Sequence, residues 1–182
     1  SIAKIDLFND LAGDIKNILQ GENRMSDFIG YTTPTFGDGF SATFNAIKGT
    51  EDDEDNSIGD STSMSLNYKA KLFYAAIAFD SELKGYDTTR ISIQVPVNRT
   101  QIGIIYQDTE KLSSGLEEDG YVLSLSQKVG EKGVLKIQLA ESDMKMSSGK
   151  QTSIGYDYKL SKKAKAFVFY TDLSGDSLSK EK

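Results

Sequence analysis

The sequence predicts an all-β fold: an antiparallel up-and-down meander forming the wall of a transmembrane β-barrel. Three observations predict it. Short segments alternate apolar and polar residues with period two. Their connections alternate between tight turns and longer polar stretches. The average composition is too polar for membrane helices, with 38% hydrophobic residues over 182. Nothing approaches the ~18 consecutive apolar residues of a spanning helix. Barrel strands are apolar on one face and polar on the other, so a mean hydropathy of −0.39 is compatible with them.

The opening stretch, residues 1–27, is the one part without this alternation, and it reads as a loop holding a short helix. From residue 28 to 182 the pattern gives ten strands. Phe28 to Thr33 stops at Pro34. A turn with Gly37 and Gly39 leads into Phe40–Ala46, with Phe40, Ala42, Phe44 and Ala46 on one face. After a polar loop at 49–62, Met64, Leu66 and Tyr68 share a face, and a short turn at 69–71 leads into LFYAAIAFD (72–80). A second polar stretch spans 81–89. The strand at 90–97 sets Ile91, Ile93, Val95 and Val97 against Ser92, Gln94 and Pro96. Pro96 cannot donate to a ladder, which puts it near a strand end or bulge. After Asn98-Arg99 the strand at 101–107 carries Ile102, Ile104 and Tyr106 on one face. A third polar stretch covers 109–120. Strands at 121–126 and 134–140 flank the turn Gly130–Gly133, and a fourth polar stretch covers 143–151. Strands at 152–158 and 166–171 flank a turn at 161–163.

A meander collects its tight turns at one end and its longer loops at the other, the pattern of outer-membrane barrels. A Greek-key sandwich has no reason to keep it. Periodicity alone does not say which face points inward, and a soluble barrel of lipocalin type would invert the two. Ten hairpin-linked strands exceed such an eight-stranded barrel, and a wider barrel needs a wet, polar interior.

With no Cys and no His, thiolate nucleophiles, Cys/His zinc sites and Ser-His-Asp catalysis are excluded. Carboxylate pairs occur at no spacing that argues for acid–base work, so the chain reads as a non-enzyme without a cofactor. A net charge of −6 repels phosphate and makes nucleic acid a poor partner. The chain begins at Ser1 rather than Met, as a processed protein or a fragment would.

The residues DLFNDLAGDIKN (6–17), then GENR (21–24), YTTPTFG (31–37) and GFSATF (39–44), resemble the general bacterial porins. These are outer-membrane trimers of sixteen-stranded barrels. The resemblance runs over nearly the whole chain. It implies that the ten strands correspond to the sixth through fifteenth of such a barrel. The first five strands, and a closing strand ending in Phe, would then lie outside the sequence, so that the chain is part of a longer protein or is completed by partner segments. It also implies that residues 1–27 fold into the lumen as a constriction loop. Asp6, Asp10, Asp14, Glu22 and Arg24 would then line the narrowing, where carboxylates favour cations. The competing reading places Asp10 and Asp14 at i,i+4 on an exposed helix face.

The acidic run Glu51, Asp52, Asp53, Glu54 and Asp55 is a weak candidate for divalent cations, alone or bridged to lipid phosphates. It lacks EF-hand spacing and reads first as a solvated loop. Tyrosines near strand ends suit interfacial girdles, and Lys48, Lys136 and Lys163 suit the lumen or its mouth. The expected function is a passive outer-membrane channel for ions and small hydrophilic solutes, mildly cation-selective. Its expected partners are outer-membrane lipid, lipopolysaccharide and, as a homotrimer, two further copies. The alternatives are a soluble β-rich adhesin or carbohydrate-binding module, and a substrate-specific channel of the same fold.

Overall fold

Ten strands pair in chain order into one antiparallel sheet: β1 (Phe28–Thr32), β2 (Phe40–Lys48), β3 (Ile58–Lys69), β4 (Tyr74–Leu83), β5 (Tyr86–Val97), β6 (Thr100–Lys111), β7 (Leu116–Val129), β8 (Gly133–Ser142), β9 (Met146–Lys159) and β10 (Lys165–Ser177). This computed structural model describes residues 5–21, 25–48 and 57–177. Among the described strands, β1 and β10 are edges, and the sheet does not close on itself. No helix among the described residues is long and apolar enough to cross a membrane; the expected short helix is a single 3₁₀ turn at Ile15–Asn17.

The register sorts side chains onto two faces. Ile77, Ile91, Tyr106 and Tyr121 stand side by side across four strands. Ile91, Tyr106 and Tyr121 are exposed, as are Ile93, Ile104, Leu123, Leu139 and Ile154 on the same face. One residue along, Ala78, Arg90, Gln107, Gly120 and Ser142 form a row on the other face. There Arg90, Gln107 and Ser142 are buried. The apolar face is therefore bare and the polar face covered, the reverse of a soluble sheet.

The alternation locates every strand but stops short of several ends. The stretches at 81–89, 109–120 and 143–151, expected as loops, are mostly strand. The connections there are only Lys84–Gly85, Leu112–Gly115 and Asp143–Lys145. Ladder hydrogen bonds need only backbone, so hairpins continue past the apolar band where both faces are polar. Lys84 and Gly85 both take positive φ, 55° and 81°, as a two-residue hairpin turn requires. Conversely, Leu72 and Phe73 belong to a turn, closed by the Ala70 amide donating to the Phe73 carbonyl at 2.9 Å. What separates the two ends of the sheet is charge. Asp87, Glu110 and Glu117 share a cross-strand row at one end, while the turns at the other carry Lys71, Arg99, Lys132, Lys162 and Lys163.

Candidate functional site

Residues 5–21 have no strand partner, yet their backbone polar groups must be satisfied wherever they are buried. A few bonds are internal: the Leu11 amide donates to the Phe8 carbonyl (2.9 Å) and the Leu19 amide to that of Ile15 (2.8 Å). Three buried glutamines on the polar face supply others. Gln138 Oε1 accepts from the Leu7 amide at 2.9 Å, and its Nε2 donates to the Gly13 carbonyl at 2.9 Å. Gln151 Nε2 donates to the same carbonyl at 2.6 Å, and its Oε1 accepts from Asn17 Nδ2 at 3.0 Å. Gln107 Nε2 donates to the Gln20 carbonyl at 3.0 Å, which also accepts from Arg90 Nη2 at 2.9 Å. These residues come from β5, β6, β8 and β9, so the segment is tied across the middle of the sheet.

Apolar contacts complete the seat. Ile5, Ile15, Ile18 and Leu19 cluster with Ile105, Val122, Ala140 and Met144. Three strand glycines make room by close approach. A Cβ on Gly103 would lie 2.8 Å from Ile5, on Gly120 2.8 Å from Leu19, and on Gly155 2.8 Å from Phe8. The Phe8 ring also lies 6.1 Å from that of Phe169 and beneath Lys136 Nζ at 5.7 Å. Lys136 apart, the sequence does not single out these seating residues. The signal was present: Ile104-Ile105 and Val122-Leu123 each place two apolar residues in succession, so each strand is apolar on both faces at that level.

The candidate constriction residues take different positions. Asp6 is buried, and its Oδ1 accepts from the Phe8 amide at 3.1 Å. Burial pushes its carboxyl up to about 6; the Phe8 amide opposes this and the negative charge of Asp14 adds to it. Asp14 is buried too, as N-cap of the 3₁₀ turn. Its oxygens accept from the amides of Lys16 (2.9 Å) and Asp10 (2.8 Å), and Lys16 Nζ lies 3.2 Å away. Burial acts to raise its pKa, but these amides and the ammonium together hold it below the usual carboxylate value. Asp10 is exposed at φ 62°, while Asp14 is extended, so the two do not share a helix face. Glu22 and Arg24 lie outside the described residues, as does the run Glu51, Asp52, Asp53, Glu54 and Asp55. Among the described residues no group of three or more carboxylates is placed to hold a metal ion.

Arg24 is the cation that the resemblance implies at the narrowing; among the described residues Arg90 of β5 also stands against the opening segment, donating from Nε to Gln107 Oε1 at 2.6 Å. Lys136 reaches the segment as well, its Nζ donating to the Leu7 carbonyl at 3.1 Å and pairing with Asp157 at 2.8 Å. Lys48 and Lys163 are exposed near strand ends. Among the described residues the arrangement offers no nucleophile–base pair. It is an irregular segment laid over the polar face of a sheet whose other face is bare and apolar.

Known proteins share this fold. The family model for Gram-negative porins matches residues 3–178. The anion-selective porin from Comamonas acidovorans superposes with a TM-score of 0.69 at 23% identity, over 86% of this chain and 52% of that one. A porin refined at 1.8 Å resolution gives 0.62 at 14% identity, over 85% of this chain and 60% of that one. The chain thus spans about half the length of these solved porins. No curated protein sequence matches it. A family match across nearly the whole length, on a sheet bare on its apolar face, places the chain among the Gram-negative porins of the bacterial outer membrane.

Proposed function

We propose that this chain supplies wall and constriction to a passive diffusion channel for ions and small hydrophilic solutes. The observation that carries this is the seating of residues 5–21 on the polar face while the apolar face stays bare. In a barrel the bare face meets lipid and the polar face a wet lumen, so the covering segment narrows the passage. Residues 1–27 act as the constriction and residues 28–182 as wall. Selectivity is mildly cationic. Of the carboxylates in residues 5–21, Asp6 and Asp14 are buried and Asp10 is exposed, which makes Asp10 the one among them that meets passing ions. Glu22 and Arg24 join it at the narrowing. The neighbour named for anion selectivity shows that the fold accommodates the opposite preference. Homotrimers contacting lipid and lipopolysaccharide are the assembly proposed, and no chemical step is catalysed.

Planar-bilayer recording of the full-length parent protein tests this. We expect ohmic conductance, a larger conductance and solute size limit on deletion of residues 5–21, and a reversal potential in a KCl gradient that moves toward zero in Asp10→Asn. A parent protein without ohmic pores, or one that partitions into water without detergent as a binding module does, overturns the reading.

A further inference from the structure

The chain is acidic overall, yet one concave surface is lined by five lysines. Lys159 of β9 and Lys165 of β10 stand directly opposite one another in the ladder, a placement in which like charges repel. The neighbouring turn is held against them, because the Lys159 amide donates to the Lys132 carbonyl at 2.8 Å. Lys162 and Lys163 sit in the connection between β9 and β10. Together these five lysines line a hollow of about 360 Å³. Asp157 is the one carboxylate among its lining residues. That carboxylate is already shared, 3.0 Å from Lys165 Nζ and 2.8 Å from Lys136 Nζ. Ammonium groups lining a concave surface raise the local potential above that of the surrounding protein. A small oxyanion bearing more than one charge offsets their mutual repulsion and matches their hydrogen-bond donors.

We propose that this hollow binds a small phosphate-type oxyanion at the lysine-bearing mouth of the channel. From there a line of charge leads inward: Lys165, Asp157, Lys136 and then the Leu7 carbonyl of the covering segment. The site stands on its geometry. That its ligand is a solute in transit rests on the channel reading.

The test is calorimetric titration of the full-length protein in zwitterionic detergent with inorganic pyrophosphate at low salt. Saturable binding is expected, weakened about tenfold or more when Lys159, Lys162 and Lys163 are all changed to Gln, and kept when they are changed to Arg. Lys69→Gln with Lys71→Gln, at another turn of the same end, should leave it unchanged. Absence of saturable binding, or equal weakening by the Lys69/Lys71 variant, overturns the site. Loss of pyrophosphate binding in phosphatidylglycerol nanodiscs, but not in phosphatidylcholine ones, shows a lipid headgroup filling the hollow and overturns the solute assignment. A protein that conducts but does not bind pyrophosphate refutes this inference and leaves the channel reading intact.

Discussion

Gln138 contributes no charge and no chemistry, yet it satisfies both an amide and a carbonyl of a segment more than 120 residues earlier in the chain. Both bonds lie on the covered face, where water does not replace them. Gln138→Ala should therefore cost about 1–3 kcal/mol for the Leu7 amide it leaves unsatisfied, since the Gly13 carbonyl keeps its bond from Gln151. The loss should be local: faster hydrogen exchange at Leu7, with the ladder amides of β6 and β7 unchanged. Asp6 makes the same seat depend on pH. Its carboxyl is raised from 3.8 to about 6 in the folded chain, so the folded state binds the proton more tightly than the unfolded one. The associated stability is complete below pH 3.8 and is lost as pH rises through about 6. Asp14 works in the opposite sense: its lowered pKa gives stability that is present above 3.8 and is lost as pH falls through its folded value. Acidifying from pH 7 to pH 5 should thus increase protection of residues 5–21 in exchange experiments corrected for intrinsic rate. Asp6→Asn should remove that dependence. A protection profile flat with pH in the unaltered protein would refute the assignment.

The covering segment and the strands beneath it form one unit, and Gly155 shows how closely they are matched. A Cβ there would meet the Phe8 ring at 2.8 Å and the Phe169 Cβ at 3.1 Å. Gly155→Val should push Phe8 out of its seat without breaking the β8–β9–β10 ladder. The expected result is faster protease cleavage within residues 5–21, with heat-modifiable gel migration of the full-length barrel unchanged. Cleavage at the original rate would show that the ring simply rotates aside. These strands were legible in the sequence because one bare apolar face enforces period two: Ile102, Ile104 and Tyr106 announce β6 unaided. The ends of β5, β6, β7 and β9 were not, because outside the apolar band the ladder constrains backbone and leaves side chains free. The docking of residues 5–21 was hidden for a different reason. Its partners Gln107, Gln138 and Gln151 are ordinary polar-face residues in sequence and gain meaning only when the register aligns them beneath one segment. The roles of Asp6 and Asp14 divide in the same way. Spacing cannot tell a buried carboxylate holding backbone amides from one facing a passage.

For the whole molecule, the decisive feature is which face meets the surroundings. Leu123 is 42% exposed while the adjacent Ser124 is 3% exposed. In a soluble sheet an exposed leucine is an accident of the surface, and Leu123→Arg would be neutral or improve solubility. In the outer membrane the same position faces hydrocarbon. Leu123 lies in a row with Ile93, Ile104 and Leu139, apolar from strand to strand, as expected near the middle of the apolar band. An arginine at such depth costs about 2–4 kcal/mol of folding free energy. Refolding the full-length protein from urea into lipid vesicles should therefore show Leu123→Arg destabilised by that amount. Val129→Arg, on the same face at the turn end of β7, should cost roughly 0–1 kcal/mol, because interfacial positions tolerate charge. The ordering is what carries the argument. A bilayer makes the cost depend on depth along one face of the strand, whereas aqueous exposure, 42% for Leu123 and 46% for Val129, makes the two positions nearly equivalent. Equal stabilities for the two variants in lipid would mean that the bare face does not lie against the membrane, and the lumenal placement of residues 5–21 would fall with it.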